Sequence, residues 1–239
     1  MKKYYKDNNE KKVFIKEMFN EISPSYNLLN RILSLGIDIY WRNKFINKLA
    51  ITNGNNILDV ATGTGDIVKN IVRRNNVKIT GIDISDKMIE IAKESIKDIK
   101  SKISWDVGDA ENLPYEDESF DLITISYGFR NLTDFNRALL EFNRVLKPTG
   151  SLAILEFSQP NNLIIGSLFN TYFHYILPTI ASLVSSNYAY KYLPESVENL
   201  ISREEICYEI ESAGFSNVSY EDISFGISTI FLGKKDYDK

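Results

Sequence analysis

The chain is 239 residues long, 44% hydrophobic and 25% charged, with a net charge of −4 at neutral pH. That length and apolar content suit one large α/β domain, and the acidic balance argues against a surface devoted to nucleic-acid phosphates. One cysteine, Cys207, and one histidine, His174, leave no material for an intramolecular disulfide or a His/Cys metal site, so no metal is expected.

Residues 1–12 are polar, with five lysines against Asp7 and Glu10, and predict a frayed, solvated start. No apolar run follows that would signal secretion, so a cytoplasmic protein is expected. From 13 to 50 the pattern is helical, with Val13, Phe14 and Met18 on one stripe and Ser23-Pro24 opening a second helix. Strands then alternate with helices. Asn56–Val60, Val77–Asp83, Ile103–Gly108, Phe120–Ser126 and Ser151–Phe157 are short buried strands, and helices follow Asp66, Ser85 and Thr133. This rhythm predicts right-handed crossovers and a doubly wound parallel sheet over 55–158.

The rhythm breaks over 159–200, where Ile165, Leu168, Phe169, Tyr172, Phe173 and Ile176 repeat with a helical period. The segment Leu163 to Val184 comes nearest to a membrane span, but Gly166, Asn170, His174 and Pro178 interrupt it. Peripheral contact with a membrane is compatible with this pattern. Ser202 then caps a helix that Gly214 stops, and Val218–Ile223 and Ile227–Leu232 close the fold at 201–234 as a hairpin about Gly226. The expected architecture is a seven-stranded, mostly parallel sheet with N-terminal helices and a helical insertion after strand 5.

Strand 1 runs into Asp59-Val60-Ala61-Thr62-Gly63-Thr64-Gly65-Asp66. Glycines at this carboxyl edge let backbone approach a ligand. Asp83, with Ile84 directly after it, ends strand 2 and offers a carboxylate to both hydroxyls of a ribose. Those features alone suit NAD as well as S-adenosylmethionine. Three details favour the latter. Val68 stands where a dinucleotide fingerprint needs its third glycine. Asp59 suits a cationic methionine head and would repel a pyrophosphate. Asp109-Ala110, after strand 3, offers an acceptor to an adenine amino group and a backbone N–H to a ring nitrogen.

Further motifs lie outside this loop. They are Tyr26-Asn27-Leu28-Leu29-Asn30-Arg31-Ile32-Leu33-Ser34 with Trp41-Arg42, Tyr127-Gly128-Phe129-Arg130-Asn131-Leu132-Thr133-Asp134, Arg144 to Gly150 leading to Leu155-Glu156-Phe157-Ser158, and Tyr192 to Val197. Together they resemble class I methyltransferases and, more narrowly, the menaquinone/ubiquinone biosynthesis C-methyltransferases (the UbiE/MenG family). Asn27 stands for the family's usual aspartate, Asp38 for a common histidine and Thr149 for a glycine. The resemblance implies S-adenosyl-L-methionine as cofactor, held at Thr64, Asp83, Asp109, Ala110 and Ser126. It implies methyl transfer to a ring carbon of a polyprenylated quinol, with demethylmenaquinol giving menaquinol. A methoxy-polyprenyl-benzoquinol of the ubiquinone pathway, another lipid or phenolic acceptor, and an NAD-dependent oxidoreductase are the alternatives. The sequence does not define an oligomeric state.

Because a sulfonium is already electrophilic, binding and orientation carry most of the work: positioning supplies roughly 7–11 kcal/mol, against about 10²–10⁴-fold for a general base. No residue declares itself as that base. Arg130 and Asn131 follow strand 4, beside the expected methyl group; Arg130 is a candidate to stabilise a phenolate or, equally, a structural ion pair. His174 sits among aromatics as a pocket group or a packing residue. Asp66 reads as an ordinary acid at a helix N-terminus and Cys207 as a small buried side chain. The apolar stretch 159–184 is expected to pack as a lid, to line a tunnel for a prenyl tail, or both.

Overall fold

The computed structural model describes residues 4–96, 102–177, 179 and 189–236. Three helices, α1 (Asn8–Ile22), α2 (Tyr26–Leu33) and α3 (Ile37–Lys48), precede the first strand. The alternation then gives β1 (Asn56–Val60), α4 (Asp66–Val72), β2 (Lys78–Asp83), α5 (Asp86–Ser95), β3 (Lys102–Val107), β4 (Phe120–Ser126), α6 (Phe135–Val145) and β5 (Leu146–Phe157). After β5 come α7 (Leu163–Thr171), a π-helical turn (Tyr172–Ile176) and α8 (Ala189–Glu198). Helix α9 (Arg203–Ser212) and the hairpin β6 (Phe215–Ile223) and β7 (Ser228–Lys235) complete the chain.

The strands form one seven-stranded sheet in the order β3-β2-β1-β4-β5-β7-β6. The first five are mutually parallel, and β7 runs antiparallel to both β5 and β6. The chain steps outward from β1 to β2 and β3 and then crosses back to β4 on the other side of β1, which opens a crevice at the carboxyl ends of β1 and β4. Alternation along each strand serves both faces. Leu58, Ile123 and Ile125 join a core with α6 and α9, whereas Ile57, Ile79 and Leu122 join one with α3 and α4. A third core gathers α1, α2, Met88 and the insertion around Phe169, Phe173 and Leu177. The insertion therefore packs against the N-terminal helices.

The sequence reading places the start of ordered helix too late. Helix α1 begins at Asn8, because the Asp7 side chain accepts the Glu10 N–H at 2.8 Å as an N-cap. The lysines expected to be solvated are drawn inward: Lys11 is buried on the Leu132 carbonyl, and Lys12 bonds the carboxylates of Asp109 and Glu111 at 2.6 and 2.8 Å. Strand β5 begins at Leu146 and carries Pro148 beside an irregular register with β4, earlier than the Ser151 expected. Positions 178 and 180–184 of the apolar stretch lie outside the described residues.

Candidate active site

The glycine loop after β1 uses its two glycines differently. Gly63 has φ +56°, and a Cβ built there would meet nothing nearer than Tyr26 at 4.0 Å, so its bare face opens into the crevice. Gly65 (φ +80°) faces the other way, where a Cβ would lie 2.8 Å from Trp105. One glycine clears space for a ligand, and the other lets the loop close on its own sheet. Two residues with side chains, Ala61 and Tyr127, also hold left-handed backbone at the ends of β1 and β4. Such strain persists where the surroundings over-determine the geometry.

Asp83, at the tip of β2, accepts the Gly63 N–H at 2.8 Å and the Ser85 N–H at 2.9 Å. Burial pushes its pKa up to about 6 against the pull of these backbone donors. Asp59 lies beneath the loop, where the hydroxyls of Thr62 and Thr124 donate to it at 2.6 Å each, and burial likewise pushes it to about 6. Asp59 thus ties the loop to β4, and its influence on a bound cation acts through space. Thr64 donates its hydroxyl to Asn27, not into the crevice.

The crevice itself encloses about 730 Å³, mouth included; Gly63, Asp83, Ile84, Asp109, Ala110 and Ser126 all line it, whereas Asp59, Thr64 and Gly65 do not. Ser126 Oγ is, among the described residues, the one buried side-chain polar atom with no hydrogen-bond partner. A buried hydroxyl left unpaired costs about 1–3 kcal/mol, so it marks a place where a ligand completes the bonding. Together with the Gly63 opening and the Asp83 carboxylate, this fits a ribonucleoside cofactor with polar groups at both ends. Helix α1 closes the far wall through Lys12, which pairs with both Asp109 and Glu111. Sequence reading missed Lys12 because nothing local distinguishes a lysine that pairs with residues about a hundred positions away.

Beside the crevice lies a larger chamber of about 1320 Å³, mouth included. The two share Phe19, Tyr26, Tyr127 and Asn131 in their walls, so they adjoin. Apolar side chains from α1, α2, α7 and the π-helical turn line it, Met18, Leu33, Phe169 and Phe173 among them. Phe169, Tyr172, Phe173 and Leu177 of the apolar stretch pack against the N-terminal helices and also line this chamber. Arg130 and Asn131 also face this chamber. The Arg130 guanidinium donates to Glu156 at 2.7 Å and to the Tyr127 carbonyl at 2.6 Å, which makes it an ion-pair member as well as a wall residue. His174 is elsewhere. Its ring bonds the Asn170 carbonyl and pairs with Glu198 at 3.0 Å on a shallow outer surface, away from both cavities. Cys207 is partly buried beside the core beneath α9, as a small packing residue would be.

A Rossmann-like sheet of this strand order, with a cofactor crevice at the β1–β4 switch point, defines a class I, S-adenosylmethionine-dependent methyltransferase. Residues 5–235 match the model of the ubiE/COQ5 methyltransferase family. The ubiquinone/menaquinone biosynthesis C-methyltransferase UbiE of Geotalea daltonii is 42% identical, the match covering 95% of this chain and 98% of that one. The demethylmenaquinone methyltransferase of Thermotoga maritima is 41% identical, over 90% and 93% of the two chains. Among solved structures, the [4+2]-cyclase SpnF superposes with a TM-score of 0.71 at 17% identity, covering 93% of this chain and 95% of its own, a likeness of fold alone. The chain belongs to the ubiE/COQ5 methyltransferase family. It is a methyltransferase, and its methyl donor is S-adenosyl-L-methionine.

Proposed function

We propose that this enzyme methylates a ring carbon of a polyprenylated quinol, converting demethylmenaquinol to menaquinol. The observation that carries the reading is the apolar chamber joined to the cofactor crevice through four shared residues. Its lining of Met18, Leu33, Phe157, Phe169 and Phe173 is predominantly apolar and suits a ring with a lipid tail. The two relatives named above bear quinone-biosynthesis names, which supports the same acceptor.

When bound, S-adenosylmethionine supplies an electrophilic methyl group. Asp83 and the Gly63 opening hold its ribose side, Asp109 and Ala110 its base, and Ser126 Oγ an otherwise unmet polar atom. The acceptor ring lies at the junction, with Tyr127 and Asn131 beside it and Arg130 fixed by Glu156 behind. Phe169 and Phe173 exclude water from the tail, which leaves orientation as the chief source of acceleration.

Among the described residues no helix is long and apolar enough to cross a membrane. The chamber nevertheless reaches the surface at Leu35 and Ile37, which line it and are themselves exposed. Phe225 stands out on the hairpin whose Ser224 also lines the chamber. We read this rim as a peripheral contact with the bilayer that holds the substrate.

The test incubates the protein with labelled S-adenosylmethionine and reduced quinone extracts. Label in menaquinol supports the reading. Label only in a benzoquinol product assigns the ubiquinone pathway instead, and label in neither overturns the quinol acceptor.

A further inference from the structure

Arg42 is buried, 9% exposed, in the wall of the acceptor chamber, and its donors are mostly unspent. A guanidinium carries five N–H groups. Nη1 bonds Asp38 and lies 3.8 Å from Asp66; among the described residues, Nε and Nη2 donate no hydrogen bond, and they remain accessible rather than fully buried. Asp38 cannot satisfy them. Its two oxygens already accept from Arg31 at 2.9 and 3.0 Å and from the Ser34 hydroxyl at 2.8 Å. Asp38 therefore fixes the Arg42 fork while sharing its charge with Arg31, and Asp66 sets a second carboxylate 3.8 Å from Nη1.

The position is also informative. The Arg42 guanidinium lies 5.8 Å from the ring centroid of Tyr127, a residue common to crevice and chamber. Arg130 lies 5.4 Å from the centroid of Phe157, and the Tyr127 and Phe157 rings are 4.6 Å apart. Two arginines thus flank one aromatic pair at the place where the acceptor ring meets the donor. Arg130 is anchored by Glu156, Tyr127 and Ser196, whereas Arg42 has N–H groups to give. A mostly buried guanidinium held on one side by Asp38, with open N–H groups on the other, suits an oxygen that carries, or gains, negative charge.

We propose that Arg42 is an acceptor-binding residue, donating hydrogen bonds to a ring oxygen of the quinol and so setting which ring carbon faces the methyl group. The inference rests on the quinol reading above and names the group that recognises it. An acceptor without that oxygen leaves the guanidinium unpaired, which makes the chamber selective for phenolic rings over plain aromatic lipids.

Equilibrium binding tests this independently of turnover. Trp41 lines the chamber, so its fluorescence reports ligand there. Under anaerobic conditions, 1,4-naphthalenediol and naphthalene are titrated into the wild type and into Arg42→Gln. The wild type is expected to bind the diol at least tenfold more tightly than the hydrocarbon. Arg42→Gln is expected to lose most of that preference while keeping its naphthalene and S-adenosylhomocysteine affinities. Arg42→Lys, which retains charge without the fork, should lose about threefold and serves where Arg42→Gln does not fold. An undiminished preference in both variants overturns the proposal, as does an equal loss for diol and hydrocarbon, which a purely structural role would give. Methyl transfer to the diol is scored separately: a wild type that binds it selectively but methylates no quinol refutes the acceptor reading and leaves the Arg42 assignment standing.

Discussion

The crevice and the chamber adjoin, yet they are built on opposite principles. The crevice is made mainly at strand ends, by the Gly63 opening, backbone N–H groups and the Asp83 carboxylate that they bind, with Lys12 of α1 closing its far wall. The chamber is assembled from α1, α2, α3, the insertion and the closing hairpin, segments separated by more than a hundred residues. A universal donor calls for fixed polar geometry, which a parallel sheet provides; a variable lipid acceptor calls for apolar volume, which helices added around the sheet provide. The difference teaches where to look for conserved chemistry and where for substrate choice.

The two regions share one rigid seam, and breaking it gives the largest expected effect. Glu156 is fully buried on β5, accepts the Arg130 guanidinium at 2.7 Å and also the N–H groups of Arg130 and Phe157 at 3.1 and 2.8 Å. Glu156→Ala strands a buried guanidinium, at a cost of about 3–5 kcal/mol. The melting temperature is expected to fall on the order of 10 °C, and both donor and acceptor binding to weaken. A variant that melts normally, or that loses acceptor binding alone, would show that the chamber is not coupled to the sheet through this pair.

A second prediction separates the regions. Asp83→Ala should weaken S-adenosylhomocysteine binding by about 1–3 kcal/mol, roughly fivefold to more than a hundredfold, because charged hydrogen bonds are lost; naphthalenediol binding should be unchanged. The sign of the pH dependence follows from burial, which raises Asp83 to about 6. Above that value the carboxylate is ionised and accepts from ribose hydroxyls. As pH falls through 6, protonation removes the acceptor, and calorimetric affinity should drop toward tenfold per unit. Asp59 titrates in the same window but does not line the crevice, so Asp83→Asn should abolish most of the dependence. A flat profile in the wild type would contradict the placement of Asp83 at the ribose.

This contrast also explains what could be read in advance. The strand alternation, the antiparallel closure about Gly226 and the crevice residues Gly63, Asp83, Asp109 and Ala110 follow from local pattern, since period-2 strands and glycine loops declare themselves over a few residues, whereas Ser126 follows only from the family resemblance. The chamber does not. Nothing in Ile-Asp-Ile-Tyr-Trp-Arg shows that Arg42 will line the chamber beside Tyr127 and that Asp38 will hold it, because that depends on how α3 docks against the end of β4, far along the chain. Lys12 was obscured for the same reason, and it extends the cofactor wall into a stretch whose composition suggests only solvent.

The smallest expected effect sharpens the comparison at the chamber mouth. Leu35 and Phe225 are 80% and 78% exposed, and both hold left-handed backbone, at φ +52° and +60°. Large apolar residues at strained turn tips cost stability in water, and a bilayer that buries them offsets the cost. Asparagine tolerates this backbone region far better than leucine or phenylalanine, so Leu35→Asn with Phe225→Asn should leave the melting temperature unchanged or slightly higher. Sedimentation with phosphatidylglycerol-containing vesicles should nonetheless weaken about tenfold, consistent with losing two partly buried side chains at roughly 0.7 kcal/mol each. KM for a long-tailed quinol presented in those vesicles should rise correspondingly, while KM for 1,4-naphthalenediol and affinity for S-adenosylhomocysteine stay fixed. Equal effects on tailed and tail-less acceptors would place these side chains in ring binding rather than at the membrane, and unaltered vesicle binding would remove them from the docking surface altogether.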